Sequence, residues 1–290
     1  MHRSAAASTR AAGVMVLASV SSVQCGSALA TTLFDQVGPA GAVFLRSLFG
    51  SLILLALGRA TLRRLRGRQL LDVALFGVAL AGMNLAFYES IDRLPLGVAV
   101  TIEFVGPLGL AVFGSRRGRD VIWALLAAAG ILLLSGGVGG EGIDAVGALL
   151  ALVAGGFWAF YIVQSARVGR ALSGLGGLAI AMSISAVLVA PLGIAQGAGD
   201  FTAAGVLAAG LGVGVLSSAI PYGLELEALR RLPHAVFGVL MSLEPAVAAL
   251  VGLIFLSQGL STLEVVAIGL VVLASAGALR GAAAPAPRDL

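Results

Sequence analysis

Long apolar runs separated by short clusters of Arg, Asp, Gly and Pro set the pattern of this chain. Ten runs stand out, at 13–34, 39–58, 70–91, 96–114, 121–138, 145–165, 174–196, 203–224, 234–256 and 261–279. Each is close to the roughly 20 residues that carry an α-helix across a hydrocarbon layer about 30 Å thick. The runs are apolar on all sides, whereas a membrane strand alternates polarity over about 10 residues. The pattern therefore predicts an all-α polytopic membrane protein of ten transmembrane helices. The connections are too short to fold alone.

Composition removes the soluble alternative. Hydrophobic residues make up 59% of the chain and charged residues 11%, against about 25% charged in ordinary globular domains. All 18 basic residues are Arg, and they sit in short patches between apolar runs. No basic face for nucleic acid follows from them; the partner they imply is the lipid bilayer. With the N-terminus inside, Arg3, Arg10, Arg59, Arg63, Arg64, Arg66, Arg68, Arg116, Arg117, Arg119, Arg167, Arg170, Arg230, Arg231, Arg280 and Arg288 all fall on the cytoplasmic side. Arg93 is then outside and Arg46 within a span. The opposite loops carry Asp35, Asp92, Glu141, Asp144 and Asp200. Both termini are thus expected in the cytoplasm. A rival reading takes the basic start, the first apolar run and Ala28-Leu29-Ala30 as a cleaved signal, which leaves nine spans. The lone Cys25 permits no internal disulfide.

Sliding the chain against itself by 138 residues superposes Glu89 on Glu227, Arg93 on Arg231, Leu94 on Leu232, Pro95 on Pro233, Val98 on Val236, Pro107 on Pro245 and Gly114 on Gly252. Rare residue types in one register predict duplication of a five-helix unit. An odd number of spans per unit inverts the second copy. The expected organisation is a first repeat over 1–138, an inverted second repeat over 139–279, and a cytoplasmic tail over 280–290.

Charged side chains at mid-bilayer cost roughly 2.5–3.5 kcal/mol each on insertion scales. Arg46, Glu103 and Glu244 fall near the middle of spans, so they face a cavity or one another. Two readings stay open: an ion pair that fixes packing, or a wet binding cavity. Glu225 lies nearer a span end, where solvation by headgroups competes with a functional role. Gln24, Asn84, Tyr88, Trp158, Tyr161 and Tyr222 add polar or amphipathic groups; for the aromatics, core packing or an interfacial belt is the alternative to a substrate wall. Pro107, Pro221 and Pro245 interrupt helix ladders within spans. Gly137, Gly139 and Gly142 fit a dinucleotide-binding spacing but lack its strand–turn–helix context. Only His2 and His234 exist, so no metal site, cofactor or enzyme is expected.

The string Gly82-Met83-Asn84-Leu85-Ala86-Phe87-Tyr88, then Pro95-Leu96-Gly97-Val98-Ala99-Val100 and Glu103-Phe104-Val105-Gly106-Pro107, resembles the EamA branch of the drug/metabolite transporter superfamily. Within that branch it is similar to bacterial inner-membrane exporters of threonine and homoserine. Pro221-Tyr222, Leu224-Glu225, Arg231-Leu232-Pro233, Phe237-Gly238, Leu240-Met241-Ser242 and Glu244-Pro245 carry the likeness through the second half. The resemblance implies two inverted halves, a cavity lined by spans one to four and six to nine, peripheral fifth and tenth spans, and export driven by protons. An amino acid in such a cavity would set its carboxylate on Arg46, its ammonium on Glu103 or Glu244, and a hydroxyl on Asn84 or Gln24. Tyr88, Trp158, Tyr161 and Tyr222 complete the expected binding set. Proton coupling falls to Glu103, Glu244 or Glu225. A homodimer is left open. The competing readings are a broader exporter of toxic or aromatic metabolites and a non-transporting membrane scaffold or receptor.

Overall fold

A computed structural model describes residues 2–58, 67–114, 121–134, 143–172, 175–197, 200–229, 231–232 and 234–283. The glycine motif at 137–142 and most of the 59–69 Arg cluster lie outside these residues, as do 284–290 of the expected tail. The described chain is helical: α1 His2–Thr31, α2 Phe34–Gly58, α3 Arg68–Ile91, α4 Leu96–Glu103, α5 Val105–Gly114, α6 Val121–Leu134, α7 Ala145–Ala171 and α8 Gly176–Gln196. There follow α9 Ala204–Gly214, a π-helical turn Val215–Ala219, α10 Ile220–Leu229, α11 His234–Met241, α12 Glu244–Phe255 and α13 Thr262–Ala283. Among the described residues, seven continuous stretches are long and apolar enough to cross a membrane, and three shorter apolar helices cover Leu96–Leu110, Val121–Leu133 and Thr262–Ala278. Helices dominate because each satisfies its own backbone polar groups, which a lipid environment demands.

Local chemistry places the boundaries. Gly38 takes φ 68°, ψ 168° inside α2, and Pro39 follows it. The kink coincides with the expected start of the second run, since Pro suits the first turn of a helix. Asp144 caps α7 by accepting the Gly147 N–H, which gives this loop acid a structural task. The α7 helix runs to Ala171, six residues past the expected end of the sixth run.

Small residues govern the packing. The α7 backbone crosses the α4–α5 junction at Gly155: a Cβ on Gly106 would strike the Gly155 carbonyl, and one on Gly155 the Glu103 carbonyl; such contacts replace the hydrophobic drive that lipid removes. The α2 helix lies along α8, α3 along α7, α1 along α10, α4 along α12, and α6 against α13 at the periphery. Large apolar side chains such as Phe113, Leu125 and Val187 face outward.

Candidate functional site

Two broken helices deliver the central carboxylates. Pro107 brings no N–H to the Glu103 carbonyl, and the fourth expected span divides into α4, ending at Glu103, and α5, starting at Val105. Pro245 occupies the first turn of α12, which begins at Glu244 after α11 has ended at Met241. Each run expected to be one helix is thus two half-helices, and each junction carries an acid toward the bundle interior.

These junctions meet the other mid-span polar residues around one cavity of ≈110 Å³, several times what a single water needs. Gln24, Arg46, Asn84, Glu103, Trp158, Tyr161, Tyr222, Glu225 and Glu244 all lie on its wall. Tyr88 does not. Its ring is fully buried behind Arg46, the Cζ of which stands 5.7 Å from the ring centroid. No lining residue comes from α8, which stacks along the far side of α2, with the Ser47 and Ser185 hydroxyls 3.4 Å apart. The resemblance to known exporters had put that span on the cavity.

Arg46 is 5% exposed. It donates from Nη1 to the Tyr88 hydroxyl at 3.4 Å and from Nη2 to the Ser217 carbonyl at 3.1 Å, while Nε has no partner. Among the described residues it makes no ion pair with Glu103 or Glu244. The packing reading of these residues required such a pair. Glu103 is 7% exposed, and its carboxylate has no hydrogen bond among the described residues. Glu244 accepts from Gln24 Nε2 at 3.0 Å through Oε1, leaving its Oε2 and the Gln24 Oε1 unpartnered. Glu225 accepts from Ser19 at 2.7 Å, a bond within the bundle and not to headgroups. Asn84 donates to the Leu80 carbonyl at 2.8 Å, which commits one of its two amide hydrogens to its own helix. By contrast Glu227 pairs with Arg231 on the exposed turn.

Sequence reasoning missed Val20, Val23, Met83, Phe87, Ser217 and Met241, which also line the wall, and named Pro221 only as a helix break. A signal was present. Twelve lining residues form six pairs separated by 138: Val20 with Trp158, Val23 with Tyr161, Met83 with Pro221, Asn84 with Tyr222, Phe87 with Glu225, and Glu103 with Met241. The register that aligns Pro107 with Pro245 therefore also pairs lining residues of the two halves, and Trp158, Tyr161, Glu225 and Glu103 each point to an apolar one.

The two ends of the bundle differ. At one, the Leu96 N–H donates to Gln258 Oε1 at 2.9 Å, and a Cβ on Gly97 would lie 2.6 Å from the Ala249 Cα. At the other, an apolar pocket of ≈440 Å³ separates Pro107, Leu108 and Leu110 of α5 from Phe237, Gly238 and Met241 of α11. This pocket shares Trp158, Tyr161, Glu225 and Met241 with the polar cavity.

A bundle of apolar helices around a buried, ionisable, solvent-sized cavity is the architecture of a membrane transporter. Comparison with known proteins defines it further. The profile of the EamA-like transporter family matches residues 145–280. The threonine/homoserine exporter RhtA of Escherichia coli (strain K12) is 43% identical over 265 residues, covering 91% of this chain and 90% of that protein. The threonine/homoserine exporter RhtA of Salmonella typhimurium (strain LT2) gives the same identity and coverage. The uncharacterized inner membrane transporter YedA of Escherichia coli (strain K12) is 29% identical over 217 residues, 71% of this chain and 70% of that one. A crystal structure at 22% identity superposes with a TM-score of 0.63 over 94% of this chain and 98% of the other, a likeness of fold. The chain belongs to the EamA-like transporter family. It is a multi-pass membrane protein among transporters, not enzymes.

Proposed function

We propose that this protein exports small amino acids such as threonine and homoserine from the bacterial cytoplasm, in exchange for protons, by alternating access. The observation that supports the reading is a cavity lined by one guanidinium and three carboxylates, in a chain 43% identical to threonine/homoserine exporters. The substrate carboxylate meets Arg46. Its ammonium meets Glu103 and Glu244, whose free oxygens lack other donors, and a hydroxyl meets Asn84 or Gln24. Glu103, without a hydrogen bond of its own, carries the proton on the return stroke, with Glu225 or Glu244 as the relay toward the open end.

Ten spans in two inverted repeats fit this reading. The shift of 138 maps α4 onto α11 residue for residue, both eight residues long. It maps the contact of α3 with α7 onto that of α1 with α10, and the packed pair α4 and α12 onto α11 and α5, which line the apolar pocket. The α4–α12 end is packed and the α5–α11 end is open, which is the asymmetry expected of one of two exchangeable states. With both termini in the cytoplasm, the open end faces inward.

The larger apolar pocket favours a second reading, a broader exporter of aromatic or toxic metabolites whose apolar parts would occupy it. A proteoliposome counterflow screen across the amino acids separates the two. Saturable uptake restricted to threonine, homoserine and close analogues supports the first. Uptake led by large aromatic solutes supports the second.

A further inference from the structure

Pro221 lies on the cavity wall, yet what it changes is the helix behind that wall. In an α-helix its N–H would serve the Ser217 carbonyl, and it has none; its ring also crowds that carbonyl. The chain responds with the π-helical turn Val215–Ala219, in which the Ile220 N–H reaches back to the Val215 carbonyl. That bond removes the α-helical partner of Leu216 as well, so two successive carbonyls leave the ladder. Neither is wasted. The Leu216 carbonyl accepts from Ser22 of α1 at 2.7 Å, and the Ser217 carbonyl accepts from Arg46 Nη2 of α2 at 3.1 Å. Gly26 leaves the room for this approach, since a Cβ there would strike Ser217.

The guanidinium is thereby held at both ends, by Tyr88 on Nη1 and by Ser217 on Nη2. A guanidinium has five N–H donors in a fixed plane, so three remain after these bonds. We propose that Pro221 is a positioning residue for carboxylate recognition. By freeing the Ser217 carbonyl it fixes the plane of Arg46, so that the remaining donors present a fork to an amino-acid carboxylate. The assignment rests on the amino-acid reading of the cavity.

Pro221→Val restores an N–H at similar side-chain size, and Pro221→Ala does so with less bulk, so one remains informative if the other does not fold. Threonine counterflow is measured in proteoliposomes for each, alone and combined with Arg46→Ala. The expected result is a KM raised about tenfold, the effect of weakening one hydrogen bond to a charged group, with kcat within about twofold. No further rise is expected where Arg46 is already Ala. A KM that stays at the parent value, or a fall in kcat of the same size in both backgrounds, overturns the assignment and leaves Pro221 as a packing residue. Absence of threonine counterflow in the parent protein overturns the amino-acid reading first, and the assignment with it.

Discussion

Gly97→Val should tilt the balance between the two open ends. The Cβ would lie 2.6 Å from the Ala249 Cα, well inside ordinary contact, and the obstacle is backbone, which cannot rotate away. Relief requires α4 and α12 to part by about 1 Å, and the Leu96–Gln258 bond spans the same seam. Overpacking of this kind costs about 1–3 kcal/mol, a factor of about 5–150 in a two-state equilibrium. The penalty falls only on the state in which α4 and α12 touch. If the two proposed repeats exchange between states of similar energy, that factor is enough to make the outward-open state dominant. The assay places a single cysteine on the cavity wall, Met83→Cys, in a Cys25→Ser background, and labels intact cells with an impermeant maleimide. Labelling should rise several-fold when Gly97→Val is added. Unchanged labelling in correctly inserted protein would refute the reasoning, because it would mean that the α4–α12 seam does not gate the cavity.

Glu103→Gln should abolish export driven by a pH gradient while counterflow at equal pH continues; gradient-driven transport at the parent rate removes Glu103 from the coupling scheme. Arg46→Ala should weaken threonine binding by about 10- to 150-fold, the worth of a charge-assisted hydrogen bond of roughly 1.5–3 kcal/mol, as read by equilibrium binding to purified protein; retained affinity assigns Arg46 to packing. The Ser47–Ser185 contact joins residues 138 apart, so exchange of the two proposed repeats would map it onto itself. A Ser47→Cys/Ser185→Cys bridge should therefore permit counterflow, whereas a Gly97→Cys/Ala249→Cys bridge should block it. The reverse order would contradict the inverted-repeat exchange.

The charged residues were legible in the sequence for an energetic reason. An Arg or Glu inside an apolar run is expensive in lipid, so Arg46, Glu103 and Glu244 stand out, and the structure sets all three around one cavity. The apolar half of that wall was not legible residue by residue, because Val20, Val23 and Met241 look like any lipid-facing or core side chain. The prolines marked where helices fail but not how. Pro107 and Pro245 divide a span into two half-helices, whereas Pro221 is absorbed by a change of helical register. Which outcome follows depends on the neighbour that takes the freed carbonyl, here Arg46 from a distant helix, and a linear pattern does not contain that. Tyr88 shows the same limit: it belonged to the expected binding set as an amphipathic side chain, but on α3 its neighbour Phe87 lines the cavity and Tyr88 lies behind Arg46.

The central claim is that Arg46, Glu103 and Glu244 surround the site that a small amino acid occupies on its way across. A density map of the protein reconstituted with saturating homoserine tests it most directly. The account predicts solute density in the polar cavity, with its carboxylate within hydrogen-bonding distance of the Arg46 guanidinium and its ammonium toward Glu103 and Glu244. Homoserine bound only in the apolar pocket between α5 and α11, or an empty polar cavity in protein that still transports, would contradict it.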